Sequence, residues 1–174
     1  MKHIFVATDG SDTAMKAIDM AAESAANFDL PLPIFHVLQY ARPSAEIARM
    51  AEIEHLAQSA SKKSKVDFQV LTGHSGDLFS DTRPSGDVVA AVTAIGDEIL
   101  HRAESRATEL GARKVNTMSD QGDPADAILD LATEAEADVI VVGHRGLGRL
   151  KTLLLGSVAQ KVLQNADCTV ISVR

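Results

Sequence analysis

VIVVGHRGLGRLKTLLLGSV, residues Val139 to Val158, is the stretch whose reading decides the fold. Its first four residues, Val139 to Val142, are all apolar and β-branched, and Asp138 and Gly143 bracket them. Such a short continuous apolar run reads as a strand buried on both faces, the kind found in parallel sheets. Glycines at 143, 146 and 148 then open a loop, which closes at Gly156-Ser157 where a helical pattern begins. A glycine-rich loop between a strand and a helix lets backbone N–H groups approach an anion without interference from Cβ atoms. The helix start adds unpaired amides and the positive end of its dipole, with Ser157 as a hydroxyl donor. Arg145, Arg149 and Lys151 place three cations in this loop. The chemistry suits a phosphate.

The flanks repeat the strand–helix alternation. Upstream, Asp123-Pro124 pairs a capping carboxylate with a proline at the first helical position, and Ala127, Ile128, Leu131, Ala132 and Ala135 form that helix's apolar side. Downstream, Val158, Ala159, Val162 and Leu163 recur helically, and Cys168 to Val173 is a final strand. At the other end, His3 to Thr8 is a first strand ending in Asp9-Gly10-Ser11, with Ser11 as helix cap. Ala14, Ala17, Ile18, Ala21, Ala25 and Phe28 form one apolar stripe, and Leu32 to Leu38 is a second strand. A long helix from Asp87 carries Val88, Val92, Ile95, Ile99, Ala103, Ala107 and Leu110 on one face and stops at Gly111. A weaker strand, Lys114 to Met118, follows. Five strands alternating with helices predict a doubly wound α/β domain with a parallel sheet.

Residues 40–86 break the alternation. Ala45 to Ser61 is loosely helical, Val66 to Val70 is a short strand or extended loop, and Gly73 to Gly86 is rich in Gly, Ser, Asp and Pro. We read this stretch as an insertion into a single domain spanning 1–174.

Bulk properties exclude several functions. A chain of 174 residues with 45% hydrophobic content can bury a proper core. The net charge of −7 and the 3% aromatic content argue against nucleic-acid binding by electrostatics or stacking. One cysteine permits no internal disulfide, and no apolar run approaches the roughly 20 residues needed to span a bilayer. The sequence enters a strand at once without a leader-peptide pattern, so the expected compartment is the cytoplasm.

In open parallel sheets ligands bind outside the carboxyl ends of the strands, where strand order reverses. With the order 3-2-1-4-5 that point lies between strands one and four. Ala7-Thr8-Asp9-Gly10 would then face Gly143 to Gly146, a nucleotide-sized site. Competing motifs fare worse. Gly143-x4-Gly148 is followed by Arg149-Leu150 where a P-loop needs Lys and Ser or Thr, and no Gly-x-Gly-x-x-Gly follows strand one. Asp9 also has a structural reading, as a cap for the first helix alongside Ser11. The histidines show no metal-ligand spacing. Only His144, inside the glycine loop, stands out.

The spacing Gly143-x2-Gly146-x9-Gly156-Ser157 resembles the nucleotide-binding signature of the universal stress protein family. The resemblance extends over nearly the whole chain: the strand ending in Asp9, Phe35-His36-Val37, Gly122-Asp123-Pro124-Ala125 and Thr169 to Val173. It implies a Rossmann-like sheet of the adenine nucleotide alpha hydrolase type, and ATP as ligand. Carried over by position, Asp9 lies near the ribose or a phosphate-bound Mg²⁺. Ala7, Thr8 and Val37 flank the adenine, Val142 and Gly143 border the nucleoside, and Gly146, Gly156, Ser157 and Val158 take the phosphates. The final strand, TVISV, lies at a sheet edge unguarded by lysine or proline and invites pairing with a second chain. A homodimer through that strand follows, and the resemblance implies the same. The expected function is a nucleotide-dependent stress-response sensor with at most slow hydrolysis. The alternatives are a Mg²⁺-dependent ATPase or phosphotransferase and a nucleotide-free interaction module.

Overall fold

The structure, a computed structural model, describes residues 2–40, 86–146 and 155–174. In chain order the elements are β1 (Ile4–Ala7), α1 (Asp12–Phe28), β2 (Leu32–Leu38), α2 (Gly86–Glu109) and β3 (Val115–Gln121). They continue with α3 (Pro124–Glu134), β4 (Val139–Gly143), α4 (Ser157–Asn165) and β5 (Thr169–Val173). Among the described residues the sheet has five strands in the order β3-β2-β1-β4-β5, and every pairing is parallel. This is the predicted doubly wound topology, with the strand order reversing between β1 and β4.

Strand parity builds two core layers, because successive side chains point to opposite faces of a sheet. Ile4, Val6, Ile34 and Val141 pack on one face with Ala17, Ile18 and Ala21 of α1 and Ala103 and Ala107 of α2. Phe5, Phe35, Ile140 and Val142 pack on the other with Ala125 and Ile128 of α3 and Ala159 and Val162 of α4. Alanine-rich helix faces let the helices lie close to the sheet. At Gly96, in the middle of α2, an added Cβ would overlap Leu38 and come within 3.1 Å of His36. Glycine there is a packing requirement.

Several boundaries differ from the sequence reading. β3 runs to Gln121, past the expected end at Met118, because Ser119, Asp120 and Gln121 pair in register with His36, Val37 and Leu38 of β2. Backbone pairing to a neighbouring strand overrides the polar composition at this sheet edge. Phe28 is 65% exposed, although its spacing placed it on the buried stripe of α1. The helix outruns its core: Ala25 is its last buried residue, and Asp29 ends it in the left-handed region at φ 51°. Leu163 of α4 is likewise exposed, and Cys168 is half-buried just ahead of β5. The expected features between residues 41 and 85, and Leu147 to Leu154 of the glycine loop, lie outside the described residues.

Candidate functional site

The two loops that the topology brings together are Thr8–Ser11, after β1, and the stretch from His144 onward, after β4. The first begins where β1 stops. Thr8 N donates to Phe35 O at 2.8 Å, and the Thr8 carbonyl accepts from His36 Nδ1 at 2.9 Å. A carbonyl cannot donate, so Nδ1 carries the proton in this tautomer. Gly10 then turns the chain at φ 79°, a left-handed conformation that favours glycine. Asp9 Oδ1 accepts from Ser11 N at 3.0 Å, closing an Asx turn. Ser11, not Asp9, caps α1, its Oγ accepting from Ala14 N at 3.3 Å.

The second loop is seated directly on this one. A Cβ at Gly143 would stand 2.8 Å from Ala14 N and 3.0 Å from Thr13 C, so the first turn of α1 rests on the bare backbone at the end of β4. The Arg145 carbonyl accepts from Thr13 Oγ1, and Ser11 Oγ lies 3.4 Å from the same oxygen. A Cβ at Gly146 would overlap Asp9 Oδ2, which puts the Asp9 carboxylate against the loop backbone. Gly156 N donates to His144 O at 2.9 Å, closing the loop onto the start of α4.

Gly156 is the N-cap of α4 with φ −70° and ψ 149°, an extended conformation open to any residue. Glycine is not required there by the backbone. It leaves a space instead: its absent Cβ would stand 3.4 Å from Arg145 Cα and His144 O. Among the described residues no side chain caps this helix, whose first turn starts at exposed Ser157 and half-buried Val158. An anion fits such a terminus.

Of the expected site residues, the structure brings Asp9, Gly146, Gly143 and Gly156 together at the switch point. Ala7 and Thr8 close β1 beside them, and Ala7 pairs with Phe35 and with Val142 across the neighbouring strands. Val37 and Val142 are buried in the α3 and α4 layer at the same end of the sheet. Arg145 is exposed, while Gly148, Arg149 and Lys151 lie outside the described residues. Among the described residues no three His, Cys, Asp or Glu side chains cluster to hold a metal ion. Asp9, the residue expected near a phosphate-bound metal, lies at the switch point with Oδ1 accepting from the Ser11 amide. Three contributors went unread in the sequence: His36 bracing β1, Thr13 holding the Arg145 carbonyl, and Ser172, whose Oγ lies 3.0 Å from His144 Nδ1. A signal existed for His36 alone, since strand parity turns it away from Phe35 and Val37 toward mid-helix Gly96.

Charge is fixed beside the site where α3 and α4 begin. Lys161 lies 3.2 Å from Asp123 and 2.7 Å from Asp126. Burial works to raise the Asp123 carboxyl. Hydrogen bonds from the Asp126 amide, Lys161 and the Ala125 amide outweigh it and hold Asp123 below the usual carboxylate range. The Lys161 ammonium is raised by the hydrogen bonds to Asp126 and Asp123.

Known proteins with this arrangement share its whole length. The profile of the universal stress protein family matches residues 1–174. Universal stress protein Rv1636 of Mycobacterium tuberculosis is 35% identical over 172 residues, covering 99% of this chain and 95% of its own. Universal stress protein YxiE of Bacillus subtilis is 32% identical over 173 residues, covering 98% and 97%. Among solved structures, a universal stress protein in complex with cAMP superposes with a TM-score of 0.60 at 25% identity, covering 99% of this chain and 96% of that one.

Proposed function

The chain belongs to the universal stress protein family, and from that premise we propose that it binds ATP at the β1/β4 switch point and acts as a nucleotide-dependent sensor. One observation carries the proposal: at the switch point the Asp9 carboxylate lies against the bare backbone of Gly146, beside an α4 start at Gly156 that no side chain caps among the described residues. A side chain at Gly146 would displace the Asp9 carboxylate, and one at Gly156 would crowd a phosphate on the first amides of α4. The cAMP held by a structural neighbour at 25% identity supports an adenine nucleotide as the ligand class.

In this reading Gly146, Gly156, Ser157 and Val158 receive the phosphates, and Val142 and Gly143 border the nucleoside. Ala7, Thr8 and Val37 flank the adenine. Asp9 meets the ribose or a Mg²⁺ brought by the phosphates, and the metal neutralises phosphate charge there. The single domain with its insertion works in the cytoplasm as a homodimer paired along β5, whose residues are half-buried or exposed. A monomer by light scattering at micromolar concentration refutes the dimer.

Denaturing the purified protein and identifying what it releases tests the ligand. ATP in the supernatant, and a melting temperature raised by ATP as linkage requires, support the proposal. Release of cAMP instead moves the ligand to a cyclic monophosphate. No released nucleotide and no shift with added ATP leave the glycine loop as a turn, and an interaction module as the function. Rapid Mg²⁺-dependent turnover that Asp9→Ala abolishes makes the protein an ATPase or phosphotransferase.

A further inference from the structure

His144 engages the fold at three points. Its amide donates to Val173 O at 2.6 Å, continuing the β4–β5 ladder past the end of β4. Its carbonyl accepts from Gly156 N at 2.9 Å, and so fixes the N-cap of α4. Its ring is held through Nδ1 by Ser172 Oγ at 3.0 Å. The remaining ring atom, Nε2, is buried and has no hydrogen-bond partner among the described residues. The Ser172 hydroxyl is therefore the polar restraint on this imidazole among those residues.

We propose that Ser172, acting through His144, is a positioning residue for the phosphate end of the nucleotide site, a role that rests on the adenine-nucleotide reading above. Ser172 lies on the edge strand, two elements away from the loop after β1. Its backbone pairs in register with Val142, which borders the nucleoside, and Ser172→Ala leaves that backbone pairing in place. Removing its hydroxyl leaves a half-buried ring with neither nitrogen partnered among the described residues, and buried polar atoms without partners are strongly disfavoured. The ring then turns toward water. The His144 carbonyl moves with it and releases Gly156 N, and the first amides of α4 lose their aim. The loop after β1, which meets the adenine and ribose, is held by a separate set of contacts. Thr8 is held by Phe35 O and His36, and Asp9 by the Ser11 amide.

The two ends of the ligand separate this role from general loosening. Titration calorimetry with ATP and with adenosine on wild type, Ser172→Ala and Ser172→Thr reads it out. Ser172→Ala should weaken ATP about 5- to 50-fold, between loosening and losing one charge-assisted hydrogen bond, and leave adenosine binding unchanged. Ser172→Thr, which keeps a hydroxyl, should restore ATP affinity. His144→Ala added to Ser172→Ala should cost little more, since both act on one contact. Equal losses for ATP and adenosine, no loss in Ser172→Ala, failure of threonine to rescue, or additive losses in the double variant each overturn the proposal. A wild type that binds ATP and adenosine not at all refutes the nucleotide site itself, and the positioning role with it.

Discussion

Two glycines in the same loop should fail in opposite ways when given a methyl group. Gly156→Ala adds a Cβ that meets Arg145 Cα and His144 O at 3.4 Å, an ordinary contact, in a backbone conformation alanine adopts freely. Alanine caps a helix less well than glycine, a loss of up to about 1 kcal/mol. It also restricts the unfolded chain, a gain of about 0.4–1 kcal/mol. The two nearly cancel, so the melting temperature should move by no more than about 2–4 °C, the shift of 1 kcal/mol in a chain this size. Nucleotide binding should suffer instead. A methyl in the phosphate space that removes one charge-assisted hydrogen bond, about 1.5–3 kcal/mol, weakens ATP about 10- to 150-fold.

Gly143→Ala should do the reverse. Its Cβ would sit 2.8 Å from Ala14 N and 3.0 Å from Thr13 C, backbone atoms that cannot rotate away. Overpacking of this kind costs about 1–3 kcal/mol, which lowers the melting temperature by roughly 2–12 °C. Differential scanning fluorimetry with and without ATP, together with calorimetric titration, measures both effects on both variants. Wild-type ATP affinity in Gly156→Ala would refute the placement of phosphates at that glycine. Wild-type melting of Gly143→Ala would refute the seating of α1 on the end of β4.

Gly146→Ala displaces the Asp9 carboxylate that its Cβ would overlap; ATP binding should weaken while thermal melting stays near wild type, and unchanged binding would remove Asp9 from the site. Phe5, 1% exposed and 5.9 Å from the Phe35 ring centre, anchors the α3 and α4 layer; Phe5→Ala should cost about 3–5 kcal/mol in urea unfolding. Asp123→Ala removes the acceptor for the Ala125 and Asp126 amides and should cost about 0.5–2 kcal/mol at neutral pH. The Asp123 carboxyl is depressed in the folded state. Its charge-linked stability is therefore present above the unfolded value near pH 3.9 and is lost as pH falls through the folded one. The gap between wild type and Asp123→Ala should narrow below about pH 4 in acid-unfolding curves, and a constant gap would contradict the depressed pKa.

What the sequence disclosed follows from which interactions are local. Val139–Val142 and, within His3–Thr8, the four residues Ile4–Ala7 announced buried parallel strands because both of their faces are covered, so each of those residues had to be apolar. Asp123-Pro124 announced a helix start because cap and first-turn chemistry lie within two residues. β3 was misjudged because Ser119, Asp120 and Gln121 owe their strand state to β2, some eighty residues earlier in the chain. Phe28 was misjudged because helical spacing reports the face of a helix and not where the sheet beneath it stops. At the site, the glycine spacing marked the loop, but not what each glycine is for. Gly143 answers to α1, Gly146 to Asp9, and Gly156 to the backbone of His144 and Arg145 at the start of α4. The backbone acceptors, Arg145 O for Thr13 and His144 O for Gly156, are invisible in a sequence since every residue has a carbonyl.

Among the described residues of one protomer, β5 is hydrogen-bonded to β4 on one side only, and none of its residues is fully buried. In a protomer whose β5 no second chain covers, such a strand exchanges its amide protons through local opening rather than through unfolding of the whole chain. Such an opening breaks the His144 N–Val173 O bond and frees the closure at Gly156 while β1, β2 and β4 stay protected. The closure of Gly156 onto His144 therefore has a lifetime set by the edge strand, shorter than that of the sheet's centre. A ligand that needs the closed loop must lengthen that lifetime, so the C-terminal amides report occupancy from the far side of the molecule.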